Sequence, residues 1–373
     1  MKHRLLWPCL FLSWLAAGTT LWRATPVRGA AAPSAHWNQQ AAAAYLDSRE
    51  IWWQQWPRAQ KDHGTICISC HTQLPYALAR PALRRELSET TMAAPERIML
   101  DSVEKRVSHW SEMAPFYSDA VHGPGKTAEA HATEAVLNAV ILASYDAREG
   151  KLRLVTRTAF DSAWGLQEQV GDNAGGWKWQ DFHLGPWESS RSAYLGAALL
   201  LYEAAIAPDG YANEQSVRPH LERLEDYLQR NYPTQPLMNQ VYALWASTKI
   251  TELLTKDEQK ALLNKLQNLQ QTDGGWQLAS FDDTWKRVDS SVAPKDSDGF
   301  ATSLAVLTME LAGTSRRDNS LKRGVAWLEQ HQQADGRWPA ASMNKQRGPE
   351  NNAALFMSDA ATAYAVLALE KAK

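Results

Sequence analysis

The sequence predicts an all-α protein built from helical hairpins, and two observations support this prediction. No segment keeps the strict alternation of apolar and polar residues that strands show, whereas apolar residues recur at helical spacing between turns rich in proline and glycine. The chain also repeats itself, because residues 301–307 (ATSLAVL) match residues 361–367 (ATAYAVL) after 60 residues. A repeat of that length has room for two helices and their loops.

The predicted helices begin and end at recognisable residues. Pro57 ends the first helix, Pro95 stands in the first turn of the third, and Thr127 caps the fourth. Pro81 predicts an interruption in the second. The resulting six pairs are 38–56 with 75–87, 94–110 with 127–143, 152–166 with 190–205, 217–231 with 236–249, 256–271 with 298–311, and 319–332 with 358–371.

The loop of the first pair contains Cys67-Ile68-Ser69-Cys70-His71, the Cys-x-x-Cys-His pattern of covalent haem c attachment. Two thiols one helical turn apart can reach both vinyl groups of one porphyrin, and the next histidine can bind the iron as proximal ligand. Three other interpretations stay open, each with an observation against it. A zinc site would need a second cysteine pair, a redox dithiol would need a βαβ context, and a Cys67–Cys70 disulfide would close only a very short loop. We expect one haem c, bound by Cys67, Cys70 and His71.

The N-terminal segment, residues 1–32, predicts an export signal. A basic start at residues 2–4 precedes a mostly apolar stretch at 5–21, and small residues follow at 29–32. Arginines at 23 and 28 lie close to the expected cleavage site and are untypical of a cleaved signal, so an uncleaved membrane anchor stays an alternative. Location in the periplasm, or export elsewhere, agrees with haem c, which bacteria attach outside the cytoplasm. No later apolar run reaches the length of a membrane span.

The composition favours a packed globular protein. Hydrophobic residues make up 45% of the chain and the formal net charge is only −2, which argues against an electrostatic nucleic-acid binder. The 17 tryptophans against 7 phenylalanines require a large core or a stacking surface. We expect a signal segment at 1–32, a helical hairpin with the haem motif at 33–94, and a repeat domain at 95–373.

A second pattern recurs in the repeats. Residues 322–338 (KRGVAWLEQHQQADGRW) and, in shorter form, residues 270–276 (QQTDGGW) resemble the QW motif of squalene–hopene cyclases and the wider terpenoid cyclase/prenyltransferase superfamily. A partial copy ends at Trp177, with Gly171 where a glutamine could stand. The resemblance covers roughly residues 95–373 and, more weakly, 37–94.

The resemblance implies an α6/α6 toroid, in which an inner and an outer ring of helices surround a central pit. It implies that Trp276 and Trp338 are structural residues. It does not extend to the family's chemistry, since the chain lacks the Asp-x-Asp-Asp acid of squalene cyclases, and both cysteines after the signal segment belong to the haem motif, which leaves no zinc ligand of the protein prenyltransferase type. Whether the chain is an enzyme is therefore uncertain.

In such a toroid the long loops within the pairs open at one end, so we expect haem at this loop-rich rim, over or beside the pit mouth. Met92 and Met113 lie in loops and are the candidates for the distal ligand, whereas Met99 faces a helix core and ranks lower. The alternative distal ligands are histidines: His63, His109, His122 and His131.

The loops of the rim are rich in tryptophan and glycine. One segment before a helix also combines aromatic, imidazole, carboxylate and guanidinium groups. The candidate pit or rim residues are Trp177, Trp179, His183, Trp187, Glu188 and Arg191, with Trp285 on a later loop. The plainer interpretation is helix entry, with Ser189 or Ser190 as the cap. Asp298 and Asp359 precede predicted inner helices and fit N-caps equally well.

The leading functional hypothesis is an exported c-type cytochrome on a single toroid, which exchanges electrons with a redox partner protein and has room in its pit for an apolar, isoprenoid-like molecule. The alternatives are a haem-dependent or cyclase-like enzyme on a hydrophobic substrate, and a non-enzymatic lipid- or glycan-binding module. A pit with aliphatic walls favours lipid, whereas paired carboxylates beside exposed tryptophan favour sugar.

Overall fold

The computed structural model describes residues 37–113, 123–348 and 351–372. These ranges contain twelve α-helices and one short antiparallel β-hairpin, β1 (Gln60–Lys61) with β2 (Thr65–Ile66). The helices are α1 Gln39–Gln55, α2 Gln73–Glu86, α3 Ala94–Ser108, α4 Gly123–Glu149, α5 Leu154–Gly165, α6 Ser192–Ile206, α7 Arg218–Asn231, α8 Leu237–Ser247, α9 Lys256–Leu269, α10 Gly299–Leu311, α11 Asn319–His331 and α12 Asn352–Lys371. The predicted signal segment and His122 lie outside the described residues.

The even-numbered helices form an inner ring. Each packs against the next even-numbered helix, and α12 packs against α2, so the ring closes. Burial distinguishes the two rings: 11 of the 13 residues of α10 are buried, whereas in α9 only Leu262 and Leu266 are buried. A helix buried on all sides belongs in a core, and a helix with one apolar stripe covers its outside. The predicted all-α toroid of six helical hairpins is therefore confirmed.

The repeated Gln–Gly–Trp loops join the outer helices to one another. In each copy the glutamine amide donates to the carbonyl of a glycine in its own loop and to a carbonyl at or near the start of another outer helix. The pairs are Gln167 with Gly175 and His220 (2.9 and 3.0 Å), Gln270 with Gly274 and Ser320 (2.8 and 2.7 Å), and Gln332 with Gly336 and Asn38 (2.9 and 3.0 Å). The first copy is therefore complete, with Gln167 rather than position 171 as its glutamine and a longer loop.

The tryptophans of these loops are structural. Trp177, Trp276 and Trp338 are fully buried, and each indole Nε1 donates at 2.7 Å to a carbonyl of the preceding outer helix. The glycines before them adopt positive φ; that of Gly336 is +93°, and a Cβ there would lie 2.0 Å from the carbonyl oxygen of Ala41. Only glycine allows α1 to approach the last loop this closely.

Several boundaries differ from the predicted ones. Helix α2 continues through Pro81. It packs against both α4 and α12, and this packing outweighs the loss of one backbone hydrogen-bond donor. Helices α4 and α12 begin earlier than predicted. Asn351 caps α12, so Asp359 lies inside the helix and is not an N-cap, whereas Asp298 caps α10 as expected.

Helix α12 has the length and apolar composition of a membrane span, although we expected no such run after the N-terminal segment. Most of this stretch is buried inside the protein. The apolar composition of α12 is therefore explained by its place in the inner ring.

Candidate functional site

The Cys-x-x-Cys-His segment lies in the loop between α1 and α2, directly after β2. Cys67 is held by α1 and by the loop that follows it. Its carbonyl accepts from the indole of Trp53 in α1 (2.8 Å), and its backbone N–H donates to Ala59 in the loop (2.7 Å). The hydroxyl of Ser69 accepts from the backbone N–H groups of Thr72 and Gln73, as an N-cap does. The segment is therefore a fixed entry into the first inner helix.

His71 is buried, and a chain of hydrogen bonds determines its tautomer. Its Nδ1 lies 3.0 Å from the hydroxyl oxygen of Thr72, and this hydroxyl donates to Asp359 at 2.7 Å. The same carboxylate accepts from Arg49 and Tyr45, both at 2.8 Å. Because the Thr72 proton is directed to Asp359, the Thr72 oxygen accepts and Nδ1 of His71 carries the proton.

The other nitrogen of His71 is available as a ligand atom. Nε2 makes no hydrogen bond to a described residue, and burial lowers the pKa of His71 to about 3. The imidazole is therefore neutral at physiological pH, with an unprotonated Nε2. A buried carboxylate that acts through a hydrogen bond on Nδ1–H is the arrangement that orients a metal-binding histidine and increases its basicity.

Cys67 and Cys70 are free thiols. Burial raises the pKa of Cys67 to about 12, and it raises the pKa of Cys70 well above its ordinary value. A zinc site or a redox dithiol needs accessible thiolates, which this environment disfavours. A thioether is uncharged and apolar, so it suits the same environment without a penalty for buried charge.

A small cavity of about 70 Å³ adjoins His71. Its lining includes Trp187, Glu188, Phe356 and Met357. The Phe356 ring stacks on the imidazole with centroids 3.6 Å apart, and Trp53 meets it edge-on at 5.2 Å. The space suffices for a few water molecules but not for a porphyrin.

Glu188 has a carboxyl group without a described partner. Its backbone pairs with Leu184, but its side chain makes no hydrogen bond or ion pair with a described residue. Burial raises the pKa of Glu188 to about 7. The cavity beside His71 therefore contains one weakly acidic group among mainly apolar and aromatic neighbours.

The remaining rim candidates are spread over several places. Trp177 belongs to the structural repeat, and Trp179 is buried against Gly196, with its indole donating to the carbonyl of Trp187. The side chain of His183 is 88% exposed. Of the six predicted rim residues, only Trp187 and Glu188 share the cavity of His71.

Arg191 points to a different surface. It pairs with Asp282 at 2.9 Å in an open groove of about 820 Å³ that also includes Asp283 and Trp285. Two neighbouring carboxylates beside a tryptophan would favour a sugar ligand. Here, however, Asp282 is hydrogen-bonded to both Arg191 and Thr284, so Asp282 and Asp283 are not both free to act on a substrate.

Neither predicted distal methionine lines the cavity of His71. Met99 is fully buried in α3, and Met92 is partly buried against the core. Met113 is half-buried and is the last residue of the first described range. Met357 does line the cavity, and sequence reasoning missed it because the predicted helix began after it. Recognition of Asn351 as a cap could have placed Met357 on α12.

The histidine alternatives also lie elsewhere in the fold. The rings of His63 and His109 stack on each other with centroids 4.7 Å apart. His131 stacks on Trp110 at 4.1 Å, and burial lowers the pKa of His131. None of the three lines the cavity of His71.

The central pit opens at the opposite end of the ring. A cavity of about 350 Å³ is lined by residues from all six inner helices, mostly near their C-terminal ends. About half of its lining residues are aliphatic, with Leu199, Leu307 and Leu367 among them, and the rest are aromatic, polar or charged. We expected the pit mouth at the loop-rich rim beside the haem motif. The inner helices begin at that rim, so this cavity lies at the far end.

Glu203 is one of several charged residues that line this pit, with Glu370 and Lys371 among the others. It is buried, it makes no hydrogen bond or ion pair with a described residue, and burial raises its pKa to about 8. Arg148 and Arg85 lie among the lining residues, but the guanidinium of Arg148 donates to the carbonyls of Ser144 and Leu78. A cavity with aliphatic walls on part of its lining and an uncommitted buried carboxyl is suited to a molecule with an apolar body and a hydrogen-bonding group.

Comparisons with known proteins agree with this architecture. Residues 222–372, which cover most of α7 through α12, match the family model of the squalene-hopene cyclase C-terminal domain. No curated protein matches the sequence of the chain. Two solved structures, a glycosidase variant and a glycosidase variant in complex with glucose, match with TM-scores of 0.50 and 0.51; each is 12% identical and covers 89% of this chain and 97% of its own. At that identity they show the fold alone. The chain is a squalene-cyclase-like α/α toroid.

Proposed function

We propose that this chain is an exported c-type haem protein that exchanges electrons with a partner protein. The observation that carries the proposal is the hydrogen-bonded chain from His71 through Thr72 to Asp359. It places the proton of the imidazole on Nδ1 and leaves Nε2 open as a ligand atom, while burial keeps the ring neutral. The histidine directly follows two free thiols at the spacing of haem c attachment.

The donor set fits haem c. Cys67 and Cys70 supply the two thioether links, and His71 supplies the proximal nitrogen. A bound haem supplies one-electron transfer at its iron. With haem bound, the Asp359 carboxylate would increase the basicity of His71 through Thr72, which would favour the more positive oxidation state of the iron and lower its reduction potential.

The cavity beside His71 must enlarge to hold a porphyrin. Phe356 stacks directly on the imidazole, so we expect its ring to leave this position on haem attachment. Trp53 and Trp187 lie within about 6 Å of the imidazole, where a bound haem would quench their fluorescence. Met357 is already in the lining, and we favour it as distal ligand over Met92 and Met113.

The first experiment tests the cofactor. The chain is expressed in a periplasm with haem c maturation machinery, beside a Cys67→Ala/Cys70→Ala variant, and pyridine haemochrome spectra are recorded on denatured protein. We expect a covalent c-type band in the wild type alone. A folded, exported wild-type protein without this band would refute the proposal.

A second experiment tests the ligands. Thr72→Val should raise the reduction potential, because His71 loses the hydrogen bond that increases its basicity. Met357→Ala should abolish the near-infrared charge-transfer band of a thioether-bound ferric haem, whereas the matched Met92→Ala should keep it. If Met92→Ala alone removes the band, Met92 is the ligand and our preference for Met357 is wrong.

A binding function of the pit is a second candidate, supported by the uncommitted Glu203 in a cavity with many aliphatic lining residues. We propose a small apolar alcohol, such as an isoprenoid alcohol, as the ligand class. Displacement of a fluorescent apolar probe by farnesol measures binding. Glu203→Leu should weaken farnesol binding, and Leu199→Trp should fill the cavity and abolish it. The exposed Glu252→Gln serves as control. Equal affinities in all four proteins would exclude the pit as the site.

A further inference from the structure

Three side chains with metal-ligand atoms meet on the surface, away from the cavity of His71. His63, His109 and Glu112 place their ligand atoms within 4.8 Å of one another. The two histidines come from different elements: His63 from the turn between β1 and β2, and His109 from the end of α3. Neither the proposed haem site nor the pit uses any of the three.

Local structure holds this cluster together. His63 adopts a left-handed conformation with φ +54°, which is uncommon for a residue other than glycine. Its ring lies parallel to that of His109, with centroids 4.7 Å apart and an angle of 16° between the planes. Nδ1 of His109 lies 3.1 Å from a carboxylate oxygen of Glu112. The three groups are therefore brought together before any ion binds.

Two imidazoles and one carboxylate form a donor set for a transition metal. Zinc binds such ligands at about 2.0–2.2 Å and retains a water molecule in the fourth position when the protein supplies three. Ligand atoms around one tetrahedral ion at these distances are about 3.5 Å apart, so the side chains must close by up to about 1.3 Å. His63 and Glu112 are exposed and His109 is half-buried, so rotation of the side chains can provide this movement.

We propose that His63, His109 and Glu112 bind one Zn²⁺ ion, with water as the fourth ligand. The ion would join the turn between β1 and β2 to the end of α3. Since β2 leads directly into Cys67, it would brace the segment that carries the proposed haem site. The zinc site rests on the three side chains alone and does not depend on haem.

The test is calorimetric titration of the full chain with zinc chloride, after chelator treatment, in a Cys67→Ala/Cys70→Ala background that removes thiol ligands. We expect one ion per chain. His63→Ala and His109→Ala should each weaken binding by roughly a hundredfold or more, because a ligand is lost. His183→Ala removes an exposed histidine elsewhere and should bind as the parent does.

Circular dichroism of each variant establishes that it is folded, and Glu112→Gln provides a milder change with the shape of the side chain retained. Its affinity should also fall, because a neutral amide replaces the carboxylate ligand. The proposal is overturned if the parent binds no zinc. It is equally overturned if folded His63→Ala and His109→Ala variants bind zinc as tightly as the His183→Ala control.

Discussion

The buried carboxyl of Glu203 should make the stability of the toroid depend on pH. Burial raises its pKa from the ordinary 4.5 to about 8. In the unfolded chain this carboxyl ionises above its ordinary pKa, whereas in the folded chain it keeps its proton until about pH 8. Between these values the folded state binds more protons, so the free energy of unfolding falls as pH rises.

The structure sets the scale of this effect. Each pH unit between the two pKa values corresponds to about 1.4 kcal/mol, so the full interval corresponds to at most about 5 kcal/mol. The pit opens to solvent at one end, and water can relax around the carboxylate. We therefore expect about 2 kcal/mol of the stability lost between pH 5 and pH 8 to come from Glu203.

Urea unfolding at pH 5 and pH 8 measures this loss for the wild type, Glu203→Gln and the exposed control Glu252→Gln. The buried amide of Glu203→Gln has its own penalty, but that penalty is the same at both pH values. The loss should therefore shrink in Glu203→Gln and stay unchanged in Glu252→Gln. An identical pH dependence in all three proteins would refute the assignment of Glu203 as a protonated group in the pit.

Three further substitutions test the fold and the site by urea unfolding. Thr72→Val breaks the chain that orients His71 and should lower the free energy of unfolding by about 1–3 kcal/mol, because buried polar groups lose partners; an unchanged value would contradict the hydrogen-bonded chain from which the tautomer of His71 is assigned. Gly336→Ala should destabilise by at least about 2 kcal/mol, through positive φ and a clash with a carbonyl of α1. Gly348→Ala, in open space, should be nearly neutral, and equal losses at both glycines would contradict this close approach. Gln167→Ala removes the hydrogen bonds to Gly175 in its own loop and to His220 in α7 and should lower stability by about 1–3 kcal/mol; no loss would show that these hydrogen bonds do not stabilise the first repeat copy.

The repeat predicted helical hairpins, and its resemblance to the QW motif predicted the toroid, because the motif reflects packing that recurs in each hairpin. Each copy places glutamine, glycine and tryptophan where an outer helix meets its loop. In the last two copies, these residue types also recur at the same spacing, so the repeat was visible in the sequence. Gln167 was missed because its loop is longer than those of the other copies. Its hydrogen bond to the loop glycine is the same as in the other copies, but its distance in sequence from the tryptophan is different. Spacing alone cannot detect a glutamine displaced by an insertion.

The site was only partly predictable for a similar reason. Cys67, Cys70 and His71 are adjacent in sequence, so their pattern is local and visible. Met357 and Asp359 reach His71 only because α12 closes the ring on α2, and a contact across nearly 290 residues has no local pattern. The pit also required the structure, since no segment alone indicates at which end six inner helices leave space.

The closure of the ring and the orientation of His71 depend on the same carboxylate. Asp359 on α12 accepts hydrogen bonds from Tyr45 and Arg49 on α1 and from Thr72 before α2, so it joins the last hairpin to the first. Thr72 is also the residue that determines the tautomer of His71. The tautomer of His71 that leaves Nε2 unprotonated is therefore held only when the ring is closed. The squalene-cyclase-like fold thus supplies through α12 the partner that the local Cys-x-x-Cys-His segment lacks.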